Sequence, residues 1–217
     1  MEDYTKIEFQ NGFDRSKLVI GCDETNYSPS LAGDCVVVAC WLPLDNPIEG
    51  INDSKQLTHK QHLELFAQIT EAGLYRVELA TPNDITVLGI YHARNLAAEL
   101  AIEGLNRKLI TRLGRPADLI LTETSMKILK DTLPMVEPMK HGDQISYLIG
   151  AASIIAKVYT DALFEGYNNF WPGYNLASNH GSVENKHKLG LKELGPSPVH
   201  RFHNYAGGWW AKLLDSK

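Results

Sequence analysis

The stretch Leu18-Val19-Ile20-Gly21-Cys22-Asp23-Glu24 decides how this chain is read. A short apolar run bounded by polar residues has the pattern of a buried strand. Two carboxylates follow it directly, held on stiff backbone at the rim of a sheet. Adjacent carboxylates repel, and burial makes it harder to keep both ionised. A hard divalent cation with oxygen ligands removes that difficulty. A solvated pair of loop acids is the plain alternative, so the rest of the chain has to separate the two readings.

Outward from that run, strand and helix patterns alternate. The first strand is expected over residues 17–22 and a second, rich in β-branched residues, over 35–42, ended by Pro43. Thr58 and Gln61 form a capping box for a helix over His59–Ala72, with Leu63, Phe66 and Ile69 as its apolar stripe and Gly73 as its stop. A third strand is expected over 75–80. Pro82 opens a helical region that breaks near Gly89 and runs to Leu113. Further strands fit 119–122 and Met135–Met139, and helices fit 145–168 and 184–194. Two strands followed by alternating helix and strand indicate an α/β sheet with helices on its faces. The last third reads as a helical extension. Residues 1–16 read as a polar lead-in, and residues 17–217 as one domain.

The chain has 217 residues, 44% hydrophobic and 22% charged, enough for a sizeable core and unlike a disordered sequence. Its net charge of −5 does not advertise nucleic-acid binding. Basic residues gather locally, at Arg107, Lys108, Arg112 and Arg115, and again from His180 to His203 ahead of Trp209 and Trp210. Cys22, Cys35 and Cys40 fit no zinc spacing and read as buried thiols. The N-terminus lacks a signal-peptide core, and the apolar stretch 145–158 is too short to span a bilayer. A cytoplasmic monomer with no membrane association is the expected form.

Five short segments, in order, carry a family likeness. They are Gly21-Cys22-Asp23-Glu24, Asn52-Asp53-Ser54-Lys55-Gln56-Leu57, His141-Gly142-Asp143, the run from Gly150 to Val158 with Asp161 beyond it, and Leu194-Gly195-Pro196-Ser197-Pro198-Val199-His200-Arg201. Together they resemble the ribonuclease HII, or type 2 ribonuclease H, family over roughly residues 17–204. The resemblance implies a ribonuclease H-like mixed sheet flanked by helices. It implies cleavage of RNA in RNA/DNA hybrids with Mg²⁺ or Mn²⁺. Two ions about 4 Å apart clamp the scissile phosphate in such chemistry. Asp23, Glu24 and Asp143 then serve as catalytic and metal-ligating carboxylates.

The family's remaining acid sits at the end of the strand over 119–122. An ungapped reading places Thr122 there, with Glu123 next. Strand alternation sends the two to opposite faces unless the chain bulges. Glu123 reaches further than an aspartate and is the residue expected to complete the ligand set. Asp161 is a weaker alternative, expected to be solvated or ion-paired.

Two other departures concern the substrate. Thr25-Asn26-Tyr27-Ser28 stands where the family has Gly-Arg-Gly, and Ser182 stands where it has a stacking tyrosine. Asn26, Tyr27, Ser28 and Ser182 are therefore expected at an altered ribose and junction contact. Lys55, Ser153, Lys157 and Arg201 are expected near the phosphates, with Lys157 paired to the carboxylates and Arg201 open to a structural salt bridge instead. A binding homologue without turnover, or a nuclease shifted to DNA or junctions, remains the alternative.

Overall fold

The computed structural model describes residues 6–27, 30–51, 57–123, 126–128 and 133–202. A 3₁₀ turn at Ile7–Phe9 leads into strands β1 (Val19–Thr25) and β2 (Cys35–Trp41), helix α1 (His59–Ala72), strand β3 (Leu74–Ala80) and helices α2 (Pro82–Leu88) and α3 (Ile90–Leu113). Strands β4 (Leu119–Glu123) and β5 (Met135–Met139) follow, then helices α4 (Gly142–Ile145), α5 (Tyr147–Phe170), α6 (Leu176–Asn179) and α7 (Asn185–Leu194). The strands make one mixed sheet in the order β3-β2-β1-β4-β5, flanked by helices as expected. The first apolar run and its partner over 119–123 pair in parallel at its centre. The expected Lys55, with residues 52–56 around it, lies outside the described residues, as do Ser28, His203, Trp209 and Trp210.

The described residues fall into two compact units. The first draws on Met1–Glu24, Val37–Glu78 and Asn95–Val158, and the second on Thr25–Val36, Leu79–Arg94 and Tyr159–Lys217. In the first, Ile20, Val38, Ile102, Leu105, Ile120, Leu148 and Ile155 are fully buried. Helix α5 begins against β1. A Cβ on Gly21 would lie 2.2 Å from the carbonyl carbon of Leu148 and 2.5 Å from the amide nitrogen of Ile149. Only the absence of a side chain lets the helix backbone come this close to the strand.

Several local expectations hold, and others shift for tertiary reasons. The Thr58–Gln61 capping box forms and α1 has the expected bounds. Its buried stripe is His62, Leu65 and Ile69, whereas Leu63 is exposed. The helix therefore presents a face one residue out of phase with the apolar pattern. The first strand runs on to Thr25, so Asp23 and Glu24 lie within it rather than beyond it. The late helix runs from Tyr147 to Phe170, two residues on from the expected 145–168, and its 24 residues are of membrane-spanning length. Of its most apolar window, 67% is buried within the protein, as in a core helix. The three cysteines are buried thiols outside any disulfide, as read.

The lead-in differs most from expectation. Lys6 and Glu8 are almost completely buried in the first unit, and Phe9 packs edge-on against Tyr147 with ring centroids 5.3 Å apart. Lys6 and Glu8 bond to backbone groups, whereas Asp14 and Arg15 face water.

The close approach at Gly21 has a measurable consequence. The atoms that a methyl group would strike are backbone and cannot rotate aside. Gly21→Ala is expected to lower unfolding stability by about 3 kcal/mol in urea titrations, and a loss under about 1 kcal/mol would contradict the packing described.

Candidate active site

Strand register decides which residue of β4 joins the acids. Val19, Ile20, Gly21 and Cys22 of β1 stand opposite Leu119, Ile120, Leu121 and Thr122 of β4. Neighbouring residues in a parallel pair share a face, and successive residues alternate. Thr122 thus shares the face of Cys22, whereas Glu123, one step on, takes the face of Asp23. Thr122 is fully buried, and its hydroxyl has no hydrogen-bond partner among the described residues. It is a core residue, and of the two it is Glu123 that alternation places on the face of Asp23.

Helix α4 brings the remaining acid to that face. The Asp143 backbone N–H donates to Glu123 Oε1 at 3.4 Å. The same oxygen lies 3.4 Å from where a Cβ on Gly142 would stand. His141, in the left-handed conformation with φ 56°, turns the chain from β5 into α4 and aims Asp143 inward. Asp143 and Asp23 are both buried. Burial pushes the Asp23 carboxyl well above the usual carboxylate range; the adjacent Glu24 and then Asp143 push it the same way, and a hydrogen bond from Ser153 opposes them. Ser153, on α5, therefore hydrogen-bonds the Asp23 carboxylate. Lys157 lies one helical turn further along α5 and is half-buried. Glu24, offset by one residue from Asp23, is half-buried on the same strand.

Three elements thus bring negative charge to one place. Carboxylate oxygens are hard donors and fit Mg²⁺ or Mn²⁺ in kind. Among the described residues, however, no three acidic, histidine or cysteine side chains stand close enough to form a ready cage. The expected four-ligand set is not closed among the described residues.

The substrate-side residues fall in the second unit, where two of the segments singled out from the sequence meet. The Leu31 N–H donates to the Gly181 carbonyl at 2.7 Å, and a Cβ on Gly181 would lie 2.3 Å from the Ala32 carbonyl oxygen. The turn His180-Gly181-Ser182 therefore lies directly against the loop after β1. The Asn26 side-chain amide donates to the Ala32 and Asp34 carbonyls at 3.1 and 2.8 Å. The Tyr27 ring carries the Arg94 guanidinium 4.2 Å above its centre.

Arg201 serves the scaffold of this unit. It is buried, and its guanidinium donates to the carbonyls of Gly33, Tyr27 and Asn26 at 2.8, 3.2 and 2.7 Å. It therefore ties down the loop that Asn26 also braces. Asp161 stands 3.1 Å from His180 Nε2, the ion-pair geometry expected of it.

Sequence reasoning missed His187. The Ser197 N–H donates to His200 Nδ1, which leaves the proton of that ring on Nε2. His200 Nε2 then donates to His187 Nε2 at 3.0 Å, and His187 Nδ1 donates to the Ser182 carbonyl at 2.9 Å. Burial lowers both imidazole pKa values, that of His200 to about 4. The basic gathering from His180 to His203 is in part this neutral pair, which braces the Ser182 turn.

The strain on Asp23 sets a direction for stability. Its carboxyl takes a proton more readily in the folded chain than in the unfolded one. Its ionisation therefore costs stability as pH rises through the folded value and costs nothing below the unfolded value. In divalent-free buffer, Asp23→Asn is expected to melt above the wild type at about pH 8, with the gain vanishing towards about pH 3. A variant that melts lower at the alkaline end would contradict this reading.

Comparisons with known proteins point to one family. The family model described as Ribonuclease HII matches residues 20–206. A Ribonuclease HII of Latilactobacillus sakei subsp. sakei (strain 23K) is 40% identical over 185 residues, 85% of this chain and 68% of that relative. Among solved structures, the ribonuclease H2 of Pyrococcus horikoshii OT3 superposes with a TM-score of 0.72 at 21% identity, over 91% of this chain and 97% of the other. Bst-RNase HIII in complex with Mn²⁺ gives 0.71 at 15% identity, over 96% and 75%. At such identities the two structures speak for the fold alone. The extent of the family match and the identity to the curated relative carry the conclusion that this chain belongs to the ribonuclease HII family.

Proposed function

We propose that this protein is a divalent-metal-dependent endoribonuclease that cleaves the RNA strand of RNA/DNA hybrids. The observation that carries the reading is the placement of Glu123. It shares the face of Asp23 and receives the Asp143 N–H, which supports a set of Asp23, Glu24, Glu123 and Asp143 as the residues that would hold the ions. A bound pair of divalent ions supplies Lewis-acid activation of water and charge neutralisation at the scissile phosphate. The chain's own residues do the rest. The buried face around Asp23 limits competing water. Ser153 orients the Asp23 carboxylate. Lys157 offers a cation one turn away along α5.

Ribose selection is assigned to the loop after β1 and the turn at Ser182. Asn26 and Arg201 fix that loop through its carbonyls, and Gly181 lets the turn lie against it. Neither segment has the Gly-Arg-Gly or the tyrosine of the family pattern. A continuous hybrid is therefore the preferred substrate over one ribonucleotide embedded in DNA. Three buried cysteines kept as thiols support a reducing, cytoplasmic setting.

A substrate panel tests the reading: labelled RNA/DNA hybrid, double-stranded RNA, DNA, and duplex DNA with one ribonucleotide, each with Mg²⁺, with Mn²⁺ and with chelator. Cleavage of the hybrid, abolished by chelator and by Asp23→Asn, is the expected result. Glu123→Gln should lower the rate by at least about 100-fold, beyond what an outer-shell residue costs. Unchanged turnover in Glu123→Gln would remove it from the set, and hybrid binding without cleavage by the wild type would contradict the enzyme assignment.

A further inference from the structure

The donors at the start of α5 have an unusual distribution of acceptors. The first N–H groups of a helix have no partner within it. Here the Ser146 N–H donates to the Gly142 carbonyl at 2.8 Å, and the Ile149 N–H donates to Ser146 Oγ at 3.1 Å. The two between them, on Tyr147 and Leu148, donate to Glu8 Oε2 and Oε1 at 2.9 and 3.1 Å. The Ser146 hydroxyl donates to the same Glu8 carboxylate. Glu8 is 0% exposed. Close by, Lys6 Nζ donates to the Gln144 carbonyl in α4 at 2.6 Å. A segment that precedes the family-matched span thus completes the junction between α4 and α5.

That junction carries the site. Asp143 lies three residues before Ser146, in α4, and Ser153 lies two turns into α5. Between them, the first turn of α5 presses on β1 at Gly21, two residues ahead of Asp23. A carboxylate at a helix N-terminus is favoured by the helix dipole as well as by the hydrogen bonds. A small slip of this turn would move Asp143 and Ser153 relative to Asp23 together. We propose that Glu8 is a positioning residue for the reaction: it locks the α4–α5 junction so that Asp143 and Ser153 meet Asp23 in a geometry able to take up the divalent ions. This rests on the nuclease reading above, and it adds to the reaction a residue outside the family-matched core.

The test uses full-length wild type, Glu8→Gln, which keeps the shape but not the second acceptor oxygen, and Asp23→Asn as a control. Three quantities are read: hybrid-cleavage kcat and KM, Mn²⁺ affinity of the protein alone by calorimetry, and the hydrogen-exchange rates of the Tyr147 and Leu148 amides. In folded Glu8→Gln, kcat is expected to fall about 10- to 100-fold with KM little changed, and Mn²⁺ affinity about tenfold, with faster exchange confined to the α5 start. A folded Glu8→Gln whose kcat and Mn²⁺ affinity stay within about twofold of wild type overturns the proposal, because displacements at a metal site cost more than that. If Glu8→Gln does not fold, Ser146→Ala, which removes one of the bonds to Glu8, is judged by the same kcat and Mn²⁺ criteria. An inactive wild type defeats the nuclease reading. An active wild type, an inactive Asp23→Asn and an unaffected Glu8→Gln defeat only the role of Glu8.

Discussion

The contact on which the rest of the structure depends is the bare-backbone approach of α5 to β1 at Gly21. It sets the depth of the helix against the strand that carries Asp23 and Glu24. Because β1 lies at the centre of the sheet, between β2 and β4, that depth also relates the helix to Glu123. Because α4 ends where α5 begins, it relates the helix to Asp143 as well. A carboxylate cluster is costly in a folded chain, and burial with the neighbouring acids pushes the Asp23 carboxyl above the usual range. Such a cluster persists only where the surrounding packing holds it in place.

The second unit follows another constraint. Its loop after β1 exposes carbonyls that need donors, and Arg201, Asn26 and the Val199 carbonyl paired with the Gly33 N–H organise it. Charged and amide side chains that look like ligand-binding groups in a sequence are used there as internal scaffolding. The buried pair His187 and His200 repeats the theme, since a chain of neutral hydrogen bonds leaves no net charge for a phosphate.

What could be read from the sequence was mostly local. Helix α1 emerged with its bounds because Thr58 and Gln61 cap each other across one turn. The core strands emerged because continuous apolar runs are their own signal. The burial of His62 in place of Leu63 was not legible, since the phase of a helix is set by what it packs against. The alternative between Thr122 and Glu123 depended on pairing with a strand about a hundred residues away, which no pattern within β4 reveals. Glu8 is the clearest case. In sequence it is one acid in a polar segment, and its three donors lie 138 to 140 residues further on. The membership of the family was legible because motifs tolerate what geometry does not disclose: five segments in order sufficed without knowing how they meet.

The account's central claim is that Asp23, Glu24, Glu123 and Asp143 form one cation site. A crystal structure of the wild-type protein soaked in Mn²⁺, with anomalous scattering used to locate the metal, tests this most directly. The account predicts manganese at a site that Asp23, Glu24, Glu123 and Asp143 would hold. Manganese bound elsewhere, or Asp23 and Asp143 sharing no ion at saturating metal, would contradict it.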